Sequence, residues 1–520
     1  MKPPHYFRAA RTAVLTGLAL MTLSTLAAAP IRLHPDNPRW FEWRGKATAL
    51  ITSAEHYGAV LNPDFDFRRY LEAMQRDGMN YTRLFAGSYV EPQGAFGIER
   101  NTLAPAPGRF LAPWARSDQP GYAGGGNKFD LDRFSPEYLA RLKEFITNAG
   151  RRGIVVELTL FCSTYGDKQW ALHPFNPTNN IQALAVPNWK TLHTLAASMP
   201  RSSRDNEAHS SSPAAGHSLL ASAATGVHQE KLVRYLVREL NSFDNVFFEI
   251  QNEPWADNHA MGDFINPYLT DKHSFPNAVE VTSPESVAWQ RAIARIITEE
   301  ESKLAQRHLI AQNVANFRLP LNDGDLVPEA GIIHFHYAYP EAVEWNRGLK
   351  RVIGYDETGF AGNQDDTYRR QAWNFVLSGG AVFNNLDYSF TTGHEDGADM
   401  ANQAPGGGSP SLRRQLKVLS DFLHRFDLGK LQPDPTFVQR APGVVTRTLS
   451  APGRAYAVYA QGRGPTTLSL QLAKGRWVAE WISIEDGRVL KRDDLSAGKP
   501  STALASPEFK DAVALRIVRQ

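Results

Sequence analysis

A single cysteine, Cys162, stands in 520 residues, so the chain forms no internal disulfide, and no cysteine near position 30 is placed to accept a lipid. An excess of one charge is also missing. With 56 Lys and Arg against 54 Asp and Glu, the net charge is +2, which gives no electrostatic reason to expect a nucleic acid or an acidic membrane as partner. Past the first 29 residues there is no apolar run long enough to be a transmembrane helix. Neutral polymers remain open as partners. Eleven Trp and seventeen Tyr suit stacking on sugars, although the ordinary use of such rings is core packing.

The N-terminus carries Lys2, Arg8 and Arg11, then an apolar run from Ala13 to Leu26, then Ala27-Ala28-Ala29. This order predicts a secretory signal peptide over 1–29 cut before Pro30, its apolar run too short to span a bilayer, and hence export to the periplasm or medium. The remaining length exceeds what one core organises, so a large domain of roughly 250 to 400 residues and a smaller one are expected.

Short apolar runs alternate with segments of helical spacing, the signature of a parallel sheet with crossover helices. Strands are expected at 46–53, 80–85, 153–160, from Asn245 to the stop at Asn252-Glu253-Pro254, and at 308–312, 331–336, 351–356 and 380–386. Helices are expected at 64–77, 136–151, 228–241, 283–306, 366–378 and 411–425. Eight strands close a (β/α)8 TIM barrel, an α/β fold, over residues 30–430, with a hairpin at 31–45 plugging or flanking it. Residues 87–134, rich in Gly, Pro and rings, follow a strand and so fall on the face where such barrels keep their active sites. Residues 199–226, mostly Ser, Ala, His and Gly, read as a low-complexity insertion. From 433 to 520 the pattern changes to short alternating runs at 444–449, 454–459, 466–470, 476–482, 489–491 and 512–518, predicting a small antiparallel β-sandwich.

Two strands end in a carboxylate. Asn245-Val246-Phe247-Phe248-Glu249-Ile250-Gln251 stops at Asn252-Glu253-Pro254-Trp255, and Arg351-Val352-Ile353-Gly354-Tyr355 runs into Asp356-Glu357-Thr358-Gly359. In a parallel barrel, catalytic groups sit where strands end, because the strand bodies are taken up by packing. Paired carboxylates are what glycoside hydrolysis requires, one protonated to help the sugar oxygen leave and one ionised to attack. Asp356 rivals Glu357, since adjacent strand residues point to opposite faces.

The Asn252-Glu253-Pro254 strand end on the fourth strand, with Glu357 on the seventh, resembles glycoside hydrolase clan A, the retaining (β/α)8-barrel glycosidases typified by family 5. The resemblance implies Glu253 as general acid and base, Glu357 as nucleophile, Asn252 on the sugar 2-hydroxyl, Arg83 holding the nucleophile ionised, and His336 as the active-site histidine. The chain departs from family 5 at three places. Ala338 stands where the family has a tyrosine, which leaves Tyr337 or Tyr339 for that role; Phe161 and Cys162 stand where it has a histidine; and Tyr388 or Phe390 stands in for its tryptophan platform. Trp170 and Trp255, in the loops after the third and fourth strands, are further candidates for sugar contact. No metal or organic cofactor is implied. His334-x-His336 has the spacing of a shared zinc ion, but no comparable ligand cluster accompanies it in the sequence. The C-terminal segment resembles the accessory β-domain behind the barrel in several bacterial glycosidases. The expected activity is exported, retaining cleavage of β-glycosidic bonds; the alternative is a barrel that binds carbohydrate without cleaving it.

Overall fold

The computed structural model describes residues 1, 29–186, 189–195, 225–257, 259–264 (backbone alone), 275–498 and 501–520. The expected signal peptide and nearly all of the 199–226 insertion lie outside the described residues.

Eight parallel strands form the barrel: β1 (Leu50–Ala54), β2 (Tyr81–Phe85), β3 (Val155–Cys162), β4 (Val246–Asn252), β5 (Ile310–Asn316), β6 (Ile332–His336), β7 (Val352–Glu357) and β8 (Val382–Leu386). They pair in the order β1-β8-β7-β6-β5-β4-β3-β2. The seam between β1 and β2 is bridged by a side chain instead of a ladder. Asn80 accepts from the Ile51 N–H (2.9 Å) and donates to the Ala49 carbonyl (2.8 Å), so one amide imitates a strand pair.

The crossover helices begin where the sequence signals them. α1 (Phe67–Arg76) follows Asp66, whose carboxylate accepts from Arg68 N–H and Arg69 N–H. α2 (Pro136–Arg151), α3 (Gly226–Leu240), α4 (Pro284–Glu301), α5 (Asp365–Leu377) and α6 (Pro410–Leu423) complete the set used here. Three of them open on a Ser-Pro pair in which the serine hydroxyl accepts an N–H of the first turn: Ser135 from Tyr138, Ser283 from Ser286 and Ser409 from Leu412. Serine satisfies an orphan donor, and proline fits the first helical position because its missing N–H has no partner to lose there.

Two expectations change. Residues 46–48 do not enter the barrel: they pair with Phe41–Trp43, which pairs with Arg32–Leu33 in a small antiparallel sheet, because Arg44 (φ 50°) and Gly45 (φ 73°) turn the chain back. That sheet lies at the barrel's N-terminal end, where Arg44 grips Asp244 just before β4 and Phe41 stacks on Phe247 at 6.4 Å. Beyond β4, expected as loop, His259–Phe264 pairs antiparallel with Ala278–Thr282, which continues the sheet from β5 at Val281–Ala315.

Behind α6, a sheet of Gln432–Pro433, Val444–Ala451, Ala455–Gly462, Ala512–Arg519, Gly475–Ile482 and Val489–Ala497 faces a second of Val438–Arg440, Thr467–Leu470 and Thr502–Ala505. Trp477, Trp481, Val458 and Leu515 of the first pack with Leu468, Leu470 and Leu504 of the second. This unit docks on the barrel through Asp511, which takes Arg369 and Arg370 at 2.9 Å each, and through Tyr459 stacked on Trp373.

Candidate active site

Glu253 follows the last residue of β4 in the left-handed region (φ 47°), a strained conformation for a glutamate. Pro254 opens a helical turn immediately after it, and Asn313 Oδ1 of β5 accepts the Glu253 N–H at 3.3 Å. The carboxylate is thereby turned over the barrel mouth. On the opposite side Glu357 closes β7. Strict alternation would send Asp356 and Glu357 to opposite faces, but a bulge intervenes: Phe335 faces Tyr355 while the next residue, His336, faces Glu357. Asp356 is the extra residue, and both carboxylates reach Arg83.

One oxygen of Glu253 and one of Glu357 lie within 4.8 Å of each other and of a His336 ring nitrogen. Tyr337, itself at φ 50°, sets its hydroxyl between them, 3.3 Å from Glu253 Oε1 and 2.9 Å from Glu357 Oε1. Tyr57 donates to Glu357 Oε2 (2.8 Å), where Arg83 Nη1 also arrives (3.2 Å). Glu253 accepts from His336 Nδ1 (3.0 Å) on Oε1 and from Tyr165 (2.7 Å) on Oε2. Tyr165 in turn accepts from Asn252 Nδ2 at 2.8 Å.

Arg83 is wholly buried, so its charge demands partners on every side. Glu249 takes it in two contacts of 2.7 and 2.5 Å, and Asn252 Oδ1 accepts at 2.6 Å. The guanidinium lies 4.6 Å from the centre of the Tyr57 ring. Beneath it, His334 Nε2 meets Glu157 at 2.8 Å, and Glu157 also accepts from Tyr81. Thus the barrel interior is a polar, fully enclosed layer on which the two glutamates rest.

Burial pushes the Glu357 carboxyl up, and the charge of Glu253 adds to it, against His336 and Arg83. Burial acts the same way on Glu253, but His336, Tyr165 and Arg83 outweigh it and hold that carboxyl below its ordinary range. Burial opposes charge on His336, yet Asp356 and Glu357 raise its imidazole well above the usual value. Asp356, buried among His334, His336 and Arg83, is held far below the carboxylate range despite burial.

The cavity above these groups measures about 310 Å3. Of the residues singled out from sequence, Asn252, Glu253, Trp255, Tyr337, Glu357 and Tyr388 line it. Arg83 and His336 stand directly behind that lining and act through Glu357 and Glu253. Trp255 is set edge-on to His336 (5.2 Å, 88°). Tyr337, not Tyr339, holds the bridging place that Ala338 leaves vacant. Trp170 is a correction: it sits on a short helix, Asp167–Leu172, against His173, and does not line the cavity.

Sequence reasoning gave Glu249 and Glu280 no role, and placed Tyr57 at the exit of the first strand and Tyr165 in the ring-rich loop after the third without singling either out. Glu249 carried a signal, since a charge inside the apolar run Val246-Phe247-Phe248 must have a cation to meet. The tyrosines had none, because a loop tyrosine is ordinary. Glu280 comes from the unexpected strand Ala278–Thr282; burial, and then the charge of Glu253, push its carboxyl up to about 7.

Among the described residues two groups have metal-like spacing, Glu157–His334–Asp356 and Glu253–His336–Glu357. Arg83 already touches Asp356 and Glu357, so a further cation would meet a resident positive charge.

No family model and no curated protein matches the chain. In three dimensions it has the (β/α)8 fold of glycoside hydrolase structures, with antiparallel sheets behind the barrel. One solved glycoside hydrolase superposes with a TM-score of 0.58 at 12% identity, over 95% of this chain and 97% of its own. A glycoside hydrolase family 5 structure from Bacteroides vulgatus does so with a TM-score of 0.58 at 12% identity, over 94% and 93%. At these identities the likeness is one of fold.

Proposed function

We propose that the protein is an exported retaining glycosidase that cleaves β-glycosidic bonds of a carbohydrate by double displacement. The observation that carries the reading is the close approach of the two glutamates: an oxygen of each lies within 4.8 Å of the other, which suits a retaining pair, about 5–5.5 Å between carboxyl groups, better than an inverting pair roughly 6.5–9.5 Å apart. Glu357 attacks the anomeric carbon; the bond to the leaving oxygen breaks, its electron pair stays on that oxygen, and Glu253 supplies the proton. Glu253 then takes a proton from water as the water displaces Glu357, restoring both groups.

This assignment needs the shared proton on Glu253, the reverse of the directions in which the two carboxyls are pushed, since His336 and Tyr165 hold Glu253 low by hydrogen bonds to its charged form. The contacts of Glu357 favour the reactive placement. Arg83 is a permanent cation against Glu357, and Tyr337 has one proton, which serves Glu357 at the shorter contact and leaves its oxygen to accept from a protonated Glu253. Asn252 Nδ2 donates to Tyr165 and, at 3.6 Å, to Cys162 Sγ, a weak acceptor that a sugar hydroxyl would replace.

The test is a pair of variants on aryl β-glycosides. Glu357→Ala is expected to lose turnover and recover part of it with added azide or formate, which replaces the nucleophile. Glu253→Ala is expected to keep activity on substrates with acidic leaving groups and lose it elsewhere. Wild-type turnover of the natural substrate by either variant removes that residue from its role.

A further inference from the structure

On the side of the cavity built from the exits of β1, β2 and β8, the groove is walled off. Residues 91–103, in the segment after β2, bring Glu91, Phe96, Ile98 and Leu103 to the lining. They are tied to the segment after β8 by an ion pair and backbone contacts. Arg100 grips Asp399 at 2.6 and 2.8 Å, the Glu99 N–H donates to the Gln403 carbonyl (2.9 Å), and Asn402 donates to the carbonyls of Arg100 (3.2 Å) and Tyr388 (2.9 Å). The same segment rests on the β1 exit: Thr102 donates to Glu55 at 2.6 Å, and a Cβ on Gly58 would stand 2.2 Å from the Thr102 carbonyl oxygen. The wall is therefore backbone packed on backbone and pinned by a two-contact ion pair.

The two sides of the cavity differ. His56, on the wall, packs on Tyr57 (5.3 Å), whose hydroxyl donates to Glu357, whereas Glu280, which lines the cavity with Phe275 and Phe360, lies on the strand paired with β5, whose Asn313 accepts the Glu253 N–H. In double displacement the acid stands beside the departing oxygen, so the leaving group lies on Glu280's side and the retained sugar faces the wall. The lining holds Glu91, Glu253, Glu280 and Glu357, and among the described residues no lysine or arginine.

We infer that the cavity is a dead-end pocket for one uncharged sugar at the end of a chain, with His56 at its closed wall, so that the protein releases single sugar units instead of cutting chains internally. This deepens the glycosidase reading and rests on it. The volume agrees, lying at the small end of the roughly 300–1,000 Å3 span of small-molecule sites. The carboxylates of this lining that stay ionised, with no lysine or arginine beside them in the lining, would repel a uronic acid or sulfated sugar.

The experiment uses aryl β-monoglycosides of several neutral sugars, the matching aryl diglycosides and an aryl uronide, with products separated by chromatography. Expected is aryl alcohol from at least one neutral monoglycoside, and from its diglycoside only after the outer sugar has appeared as free monosaccharide. Release of an intact disaccharide in the first turnovers overturns the dead-end pocket while hydrolysis stands, and turnover of the uronide faster than every neutral sugar overturns the uncharged ligand. No product from any member overturns the hydrolase reading itself. His56→Gln is expected to raise KM about tenfold with kcat within threefold; an unchanged KM overturns the sugar's placement against His56.

Discussion

Tyr57→Phe isolates one hydrogen bond to the proposed nucleophile. The hydroxyl lies 2.8 Å from Glu357 Oε2, while the ring stacks on Phe85 at 4.7 Å and carries Arg83 over its face. Phenylalanine keeps all the ring contacts, so the fold is spared. A hydrogen bond to a charged group contributes about 1.5–3 kcal/mol, and because Arg83 still reaches the same oxygen at 3.2 Å the lower part of that range applies, about 1.5–2 kcal/mol. At 1.36 kcal/mol per decade this is a loss of about 10- to 30-fold in kcat/KM. The pH dependence carries a sign as well. Tyr57 donates to the ionised form of Glu357 and so lowers its pKa; removing it raises that pKa, and the acid limb of the kcat/KM profile moves to higher pH. Steady-state kinetics on an aryl glycoside between about pH 3 and about pH 8 (at least roughly one unit past the reference glutamate and histidine values at either end) read both quantities. A variant within twofold of wild type, with an unmoved acid limb, refutes the view that Tyr57 steadies the nucleophile.

Three further outcomes follow from the same geometry. Glu280, pushed up to about 7, is ionised on the alkaline side, where its charge raises the pKa of Glu253; Glu280→Gln removes that charge, so the alkaline limb of kcat/KM is expected to move to lower pH, and an unmoved limb contradicts it. Asn80→Ala leaves the Ile51 N–H and the Ala49 carbonyl without partners at the barrel seam, which costs about 1–3 kcal/mol for each group and is read as a lower urea midpoint with the slope unchanged. Trp170→Ala is expected to leave kcat/KM within twofold of wild type, since the ring stands apart from the cavity; a tenfold loss would return Trp170 to the site.

Much of the barrel is legible along the chain. The run 136–151 is bounded by Ser135-Pro136 and emerges as the helix Pro136–Arg151, and Glu253 and Glu357 were marked by apolar runs that stop on a carboxylate. Glu249 was legible in principle, as a charge inside an apolar run whose burial obliges a partner. Residues 46–48 misled because Lys46-Ala47-Thr48 runs into β1 with no turn residue between them, and the left-handed turn at Arg44-Gly45 that claims them for another sheet leaves little trace in composition. Trp170 misled because a ring in a loop after a barrel strand looks the same whether it faces the cavity or lies on a helix beside it.

Strand and helix periods arise between residues two to four apart, so the sequence by itself determined the order of strands and helices and the two strand ends that carry glutamate. Closure of the barrel decided the rest. It joined Tyr57, Arg83, Tyr165 and Tyr337 around Glu253 and Glu357, and it turned Asp356 inward beside its neighbour through a one-residue bulge. Ladder register and the meeting of loops from β1, β2 and β8 are set by contacts between residues hundreds of positions apart, and no local pattern encodes them.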